Sequence, residues 1–213
     1  MLEYRQIKCY TSDKGGDMQS ISEKILVEAK RQPEGYAFSA KSLQHLGERA
    51  AIDQALSRLC RERSLFRVTR GYYVVPSETR FGRHLPPIER VVASITEQEG
   101  EVFARGGAAA ANVLGMTTQV PVRMIYVTSG TSRKLDFSGI KVELRNAPRW
   151  QLVNAGKPSG ELVRALEWIG PEHADEAVRS FSEREPGIVM EAARFARLLP
   201  AWLAKTIVEA AHA

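Results

Sequence analysis

The chain has 213 residues, 44% hydrophobic and 26% charged, which is typical of a globular protein with one large domain or two small ones. This composition excludes a disordered chain and a collagen-like fibre, and two cysteines are too few for a disulfide scaffold. Residues 1–85 hold 15 basic and 10 acidic side chains, and residues 86–213 hold 15 of each. The whole net charge of +5 therefore lies in the first part. This asymmetry is compatible with a polyanionic partner and equally with ordinary surface variation.

The sequence shows no signal for a membrane or for secretion. Its apolar runs are shorter than the roughly 18 residues that span a bilayer, and its first residues lack the apolar core of a secretory signal. Cys9 and Cys60 lack metal-ligand spacing and suit a reducing cytosol as free thiols. We therefore expect a cytoplasmic protein, with a flexible extension over residues 1–17 and an alternative start at Met18.

Three short helices and a hairpin are predicted over residues 18–77. Ser20 and Glu23 fit a capping box that begins the first helix, and Ser39 caps a short second helix. The third helix runs over residues 48–63 and has apolar residues at i, i+3, i+4 and i+7, namely Ile52, Ala55, Leu56 and Leu59. Residues 65–68 and 72–75 form a hairpin in which Gly71 can adopt a positive φ. This order of elements is that of a winged helix-turn-helix.

A linker at 78–87 and a mixed domain at 88–213 are predicted to follow. Prolines in residues 77–87 disfavour regular structure, and Pro87 can open a helix. The domain begins with a helix whose stripe is Ile88, Val91, Val92 and Ile95, and then has an Ala-rich helix, Gly107–Leu114. A β-meander is predicted from the strands 122–128, 133–137 and 140–145, with a turn at Ser138 and Gly139. A helical tail follows, so the predicted fold class is α+β with a small antiparallel sheet.

The polar face of the third helix carries the main candidates for DNA binding. Its base-reading side chains are those that can pair with guanine or adenine or contact a thymine methyl group, namely Arg49, Gln54, and Ala50 or Ala51. Its phosphate-binding side chains, which position a protein without reading sequence, are Ser57, Arg58 and Arg61. The alternative interpretation is a solvated face with an ion pair between Asp53 and Arg49.

Further DNA contacts are predicted outside the third helix. Arg67 and Arg70 bracket the hairpin turn, where a cation can enter a minor groove. Tyr72 either adds a hydroxyl contact or packs on the third helix, whereas Tyr73 is expected to face the core. Ser39 and Lys41 at the start of the second helix can offer backbone amides and a cation to a phosphate.

Two groups of segments resemble a known family. Residues 20–25, 49–59 and 70–73 resemble the N-terminal winged helix of AbiEi-type antitoxins of type IV toxin–antitoxin systems. Residues 106–116 and 119–121, with the strand after them, resemble the start of the C-terminal domain of that family. The resemblance covers about residues 20–146, and residues 147–213 match no motif.

The resemblance implies a bifunctional antitoxin. Its winged helix would bind double-stranded DNA at repeats in the promoter of its own operon and repress it, and its C-terminal domain would counter a nucleotidyltransferase-like toxin. The DNA contacts carried over are Arg49, Gln54, Ser57, Arg58 and Arg70. The resemblance carries over no toxin-neutralising residue.

An enzyme is the first alternative class. The four histidines lack partners at metal-ligand spacing, and Gly106–Gly107 lacks the spacing of a nucleotide-binding motif, so close helix packing explains these glycines better. Cys60 is expected to pack partly in the core, and Glu97, Glu99 and Glu101 are expected to form a solvated rim. We therefore expect no catalytic residue, no metal and no cofactor.

A ligand-sensing winged-helix transcription factor without a toxin partner is the second alternative. It would share the DNA-binding half and hold an effector pocket in the second half, where no group of residues marks one. Trp168 is predicted to be buried in the core, and the positions of Trp150 and Trp202 are left open.

Overall fold

The computed structural model describes residues 20–80, 82–137 and 139–213. In these ranges the chain is an α+β protein with α-helices and small sheets, which confirms the α+β class that the sequence predicts. The predictions for residues 1–17, Met18 and Ser138 lie outside the described residues. Of the helices in the described ranges, none has both the length and the apolarity needed to cross a lipid bilayer.

The first part of the chain contains two α-helices and a hairpin. Its elements in chain order are α1 (Ile21–Arg31), β1 (Phe38–Ser39), a 3₁₀ turn (Gln44–Leu46), α2 (Arg49–Arg61), β2 (Phe66–Thr69) and β3 (Tyr72–Val74). The predicted capping box is confirmed, because Glu23 N donates to Ser20 Oγ over 3.2 Å and Ser20 N donates to Glu23 Oε2 over 2.8 Å. The predicted short second helix is present as a 3₁₀ helix of three residues, which ends where the backbone of Gly47 becomes extended.

A first core lies between α1, α2 and the hairpin. The predicted stripe of α2 is confirmed as buried, with no member more than 5% exposed. It packs with Ile25, Leu43 and Leu65. Strand β1 pairs with the far side of the hairpin, which gives an antiparallel sheet in the order β1-β3-β2.

The segment predicted as an irregular linker contains a second hairpin. Strands β4 (Ser77–Thr79) and β5 (Gly82–His84) pair antiparallel. The prediction of irregular structure was wrong because both prolines follow β5 and therefore remove no donor from the ladder. Pro87 precedes α3 (Ile88–Gln98) as its N-cap.

The second part of the chain contains a four-stranded sheet. Its strands are β6 (Phe103–Arg105), β7 (Met124–Thr128), β8 (Arg133–Phe137) and β9 (Ile140–Asn146), in the order β6-β7-β9-β8. Strand β9 pairs antiparallel with β8 but parallel with β7, so the predicted meander is wrong. The alternation of Val142 and Leu144 indicates which face is buried but not which neighbour the strand takes, and here β9 lies between β7 and β8.

A second core joins the two parts of the chain. Ala37, Val68 and Val74 pack in one cluster with the predicted stripe of α3 and with side chains of the four-stranded sheet. The buried hydroxyl of Ser94 on α3 also accepts from Ala37 N over 2.9 Å. The hairpin β2–β3 is therefore fixed between the first core and the sheet.

The remaining helices form a third core at the C-terminal end. They are α4 (Gly107–Val113), α5 (Pro158–Ile169), α6 (Pro171–Arg184), α7 (Pro186–Ala193) and α8 (Ala201–His212). Trp150 and Trp202 are half-buried against this core. The predicted burial of Trp168 is wrong, because its side chain is 44% exposed; it lies roughly 100° around α5 from the apolar stripe.

Gly107 provides a test of the contact between α4 and α5. A methyl group there would lie 2.5 Å from the carbonyl oxygen of Arg164 and against Cβ of Trp168. We expect Gly107→Ala to lower the free energy of unfolding by about 1–3 kcal/mol, as overpacking does, although Ala favours helices. Urea denaturation followed by circular dichroism measures the change.

The matched control is Gly187→Ala on α7. A methyl group there meets nothing within 4 Å, so we expect stability to be unchanged or to rise by up to about 1 kcal/mol. Equal stability of the Gly107 variant and the wild type would contradict the close approach of the two helices.

Candidate nucleic-acid interface

The polar face of α2 lies open to solvent. Because the opposite face of the helix is buried in the first core, seven side chains of the polar face are exposed, namely Arg49, Ala50, Asp53, Gln54, Ser57, Arg58 and Arg61. Ala51, the other candidate for a thymine contact, is half-buried. Five of the exposed residues, from Asp53 to Arg61, line one shallow groove of about 410 Å³. The structure therefore brings the predicted helix residues together on one accessible surface.

An ion pair crosses the first turns of this face. Arg49 Nε donates to Asp53 Oδ2 over 2.9 Å, and both side chains are at least half exposed. This is the pair that the alternative interpretation expected. An exposed i,i+4 pair contributes only about 0.3–0.5 kcal/mol, so the Arg49 guanidinium can exchange Asp53 for another partner at low cost.

The hairpin carries two further exposed cations, of which Arg67 lies within electrostatic range of Cys60 on α2. Gly71 turns the chain with a φ of +87°, and Arg67 and Arg70 are exposed on either side of the turn. The register of β2 and β3 shifts between Arg67 and Thr69. Such a bulge bends a strand and re-aims its side chains.

Tyr73 packs against the first core, as the sequence predicts, and its phenol also lies within electrostatic range of Arg49 and Asp53 on the α2 face. Its half-buried ring stacks on Phe38 with the centroids 6.3 Å apart. Burial raises the pKa of the phenol, while the charges of Arg67 and Asp53 act on it in opposite directions. The position of Tyr73 beside the α2 face could have been predicted from its pairing with Arg67, because residues directly opposite in a hairpin share a face.

Tyr72 makes its contacts away from α2. Its ring packs against the second core, and its hydroxyl donates to Glu99 Oε1 over 3.2 Å. Burial, and then the charge of Glu99, raises the pKa of this phenol. Glu99 and Glu101 both pair with Arg133, and the Glu101 side chain is only 14% exposed, so the predicted solvated rim is wrong for Glu101.

Ser39 and Lys41 lie in the turn before the 3₁₀ segment. Ser39 and Ser42 cap each other, since Ser39 N donates to Ser42 Oγ and Ser42 N donates to Ser39 Oγ, both over 3.2 Å. These two amides are therefore engaged within the turn. Lys41 remains as an exposed cation.

The surface can offer cations and amide or hydroxyl groups to a polyanion. Of the four arginines Arg58, Arg61, Arg67 and Arg70, all exposed, none forms an ion pair with a described residue. Cys60 lies half-buried behind them, and burial raises the pKa of its thiol against the opposing charge of Arg67. In the described ranges, no group of three or more His, Cys, Asp and Glu side chains could hold a metal ion.

Comparison with known proteins identifies a family for this chain. No curated protein matches the chain. A family described as a family of unknown function, DUF6088, matches residues 24–183, which is about three-quarters of the sequence and includes α2, the hairpin and the four-stranded sheet. The chain therefore belongs to the DUF6088 family.

Proposed function

We propose that this chain is a DNA-binding antitoxin that represses its own toxin–antitoxin operon. Residues 18–77 would form the winged helix that binds the promoter, and residues 88–213 would counter a nucleotidyltransferase-like toxin. The observation that carries the DNA-binding part is the exposed face of α2, with three arginines and a glutamine on a helix anchored by its opposite side.

The dimensions and charges of this face support docking in a major groove. A major groove admits one α-helix, and its base edges offer distinct patterns of donors and acceptors. Arg49 and Gln54 lie in the N-terminal half of α2, and recognition helices contact bases with their N-terminal residues. Arg58 and Arg61 lie in its last turn as unpaired cations, which suits phosphates of the flanking backbone.

The hairpin supports the same orientation. Arg67 and Arg70 add exposed cations outside α2, and they lack ion-pair partners in the part of the chain described. A cation on a turn can insert into a minor groove or hold its phosphates. Tyr72 is engaged with Glu99, so Tyr73 is the better placed tyrosine for a phosphate contact.

The antitoxin part of the proposal rests on the resemblance of residues 20–146 to AbiEi-type antitoxins. A ligand-sensing transcription factor is the second candidate function. A cavity of about 580 Å³ in the second part of the chain favours it, because small-molecule sites have volumes of about 300–1,000 Å³.

We expect the full chain to bind duplex DNA from upstream of its own gene, with an affinity that falls steeply as salt increases, since phosphate contacts release counterions. Arg58→Ala should weaken all duplexes about equally and reduce the salt slope by about 1. Arg49→Ala or Gln54→Ala should cost about 1–3 kcal/mol on the promoter and less on a shuffled duplex. Fluorescence anisotropy titrations at several salt concentrations measure these differences.

Arg179→Ala is the matched control for these variants. It removes an exposed arginine from a helix, α6, that lies outside the interface, so promoter affinity should stay at the wild-type value. Equal losses on promoter and shuffled DNA for all three interface variants would reject the base-reading roles of Arg49 and Gln54. A loss of the same size in the Arg179 variant would reject the α2 face as the site.

Asp53 gives a prediction of opposite sign. Asp53→Asn removes the carboxylate that pairs with Arg49 and the only negative charge among the described residues that line the α2 groove. We expect DNA affinity to rise about twofold to fivefold, as for removal of an exposed like-charged group. Weaker promoter binding in the same titration would instead show that Asp53 holds Arg49 in its binding geometry.

The antitoxin part has a separate test. If the gene beside this one encodes a nucleotidyltransferase, its expression alone should arrest growth, and co-expression of the full chain should restore it. A plating assay with inducible expression of each gene measures the effect, and the Arg58→Ala variant should still protect. Growth arrest that the chain does not relieve would remove the antitoxin part and leave the DNA-binding part intact.

A further inference from the structure

A cavity in the second part of the chain lies between helices and the sheet. Its volume is about 580 Å³, and it is bordered by the start of α4, by α5 and by the neighbouring strands β7 and β9. Such a volume suits a small organic ligand. The cavity is separate from the α2 face, since none of its lining residues precedes Gly106.

A buried arginine lies at this cavity. Arg164 on α5 lines it, yet the residue is only 2% exposed. Its Nη1 donates to the carbonyl oxygen of Gln151 over 3.0 Å, whereas Nε and Nη2 have no hydrogen-bond partner among the described residues. Buried donors of a charged group are normally paired because an unpaired one is costly.

The charge of Arg164 is not cancelled within the fold. Burial lowers the pKa of Arg164 to about 10, so the guanidinium remains charged at neutral pH. The Glu161 carboxylate attracts the Arg164 guanidinium, but Glu161 is hydrogen-bonded to Arg105, and the charge of Arg105 repels Arg164. Because Nε and Nη2 are shielded from solvent, Arg164 acts on an anion as a weakly screened charge beneath the cavity wall.

Two exposed arginines add to this charge. Arg123 precedes β7, Arg145 lies on β9, and both line the cavity. Arg145 forms an ion pair with Glu143, with Nη2 and Oε2 3.0 Å apart. Arg123 forms no ion pair with a described residue. Among the described lining residues, Glu167 is the single carboxylate, so the site carries an excess of positive charge that attracts anions.

Apolar side chains also line the cavity, and one of them is an aromatic ring. Trp168 lines it with 44% of its surface exposed, beside Ile125 and Val127. An exposed indole provides a surface on which a planar base can stack. Arginines suit phosphate groups because their planar donors match phosphate oxygens.

We propose that this cavity binds a mononucleotide, with its phosphate groups towards Arg123, Arg145 and Arg164 and its base against Trp168. The inference does not depend on DNA binding by α2. Arg164 is the residue that sets the site apart from a surface patch, because its charge is held in place by burial.

Isothermal titration calorimetry of the full chain with ATP, AMP, adenosine and inorganic phosphate tests the proposal. We expect ATP and AMP to bind with a Kd of about 1 mM or tighter, and adenosine and phosphate to bind at least about tenfold more weakly because each lacks half of the contacts. Phosphate binding as tight as that of AMP, or the absence of binding by both nucleotides, would overturn the proposal.

Substitutions locate the site. Arg123→Ala should weaken AMP binding by about tenfold or more, as for loss of a charge contact to phosphate. Arg164→Met should weaken it by a similar factor because it removes the weakly screened charge beneath the cavity wall. Arg164→Met should keep or raise the thermal midpoint, since an apolar side chain of similar size replaces an unpaired buried charge. A folded Arg164→Met protein that binds AMP with wild-type affinity would overturn the assignment.

Controls separate this site from the α2 face. Lys134→Ala removes an exposed cation on β8 that does not line the cavity, and Arg58→Ala alters the α2 groove; both should leave AMP binding unchanged. Loss of AMP binding in Arg58→Ala would overturn the cavity as the site. Binding of a single-stranded oligonucleotide without any binding of AMP would also overturn it.

Discussion

Burial of one face of α2 is the constraint on which the candidate interface depends. Ile52 and Leu56 are fully buried, and each such side chain contributes about 1.5–3 kcal/mol. Rotating the helix would expose them, so the opposite face is held outward by the core rather than by contacts of its own. Its polar side chains therefore remain free to bind a partner without loss of packing.

The second core fixes the hairpin with respect to α2. Val68 and Val74 on the inner side of the hairpin pack with the stripe of α3, while Arg67 and Arg70 lie on exposed positions beside them. The spacing between the α2 face and the hairpin cations is thus determined by both parts of the chain. A change in the sheet can shift the hairpin although the sheet contributes no side chain to the α2 face.

Sequence reasoning succeeds here where a feature is local. The stripes of α2 and α3, the Ser20 capping box and the turn at Gly71 follow from spacing within a few residues. The parallel pairing of β9 with β7 depends on contacts across the fold, and alternation does not specify them. Arg164 lies roughly 150° around α5 from the predicted apolar stripe, where a cation is expected to face solvent. Its buried and unpaired guanidinium, like the cavity beside it, therefore becomes visible only when α4, α5 and the strands are assembled.

The net charge of a segment describes its surface poorly, because ion pairing determines which charged side chains are free to attract a partner. In the second part of the chain, which has no net charge, Arg133 is held by Glu99 and Glu101, and Arg105 by Glu89 and Glu161. Not every arginine in this part is paired with a carboxylate. Arg123 and Arg164, for example, have no carboxylate partner among the described residues. In the first part, Arg49 and Arg83 are paired, and both lie away from the tip of the hairpin and the end of α2. Arginines without an ion-pair partner among the described residues therefore lie both at the end of α2 with its hairpin and at the cavity on α5, and each place is open to an anionic partner of a different size.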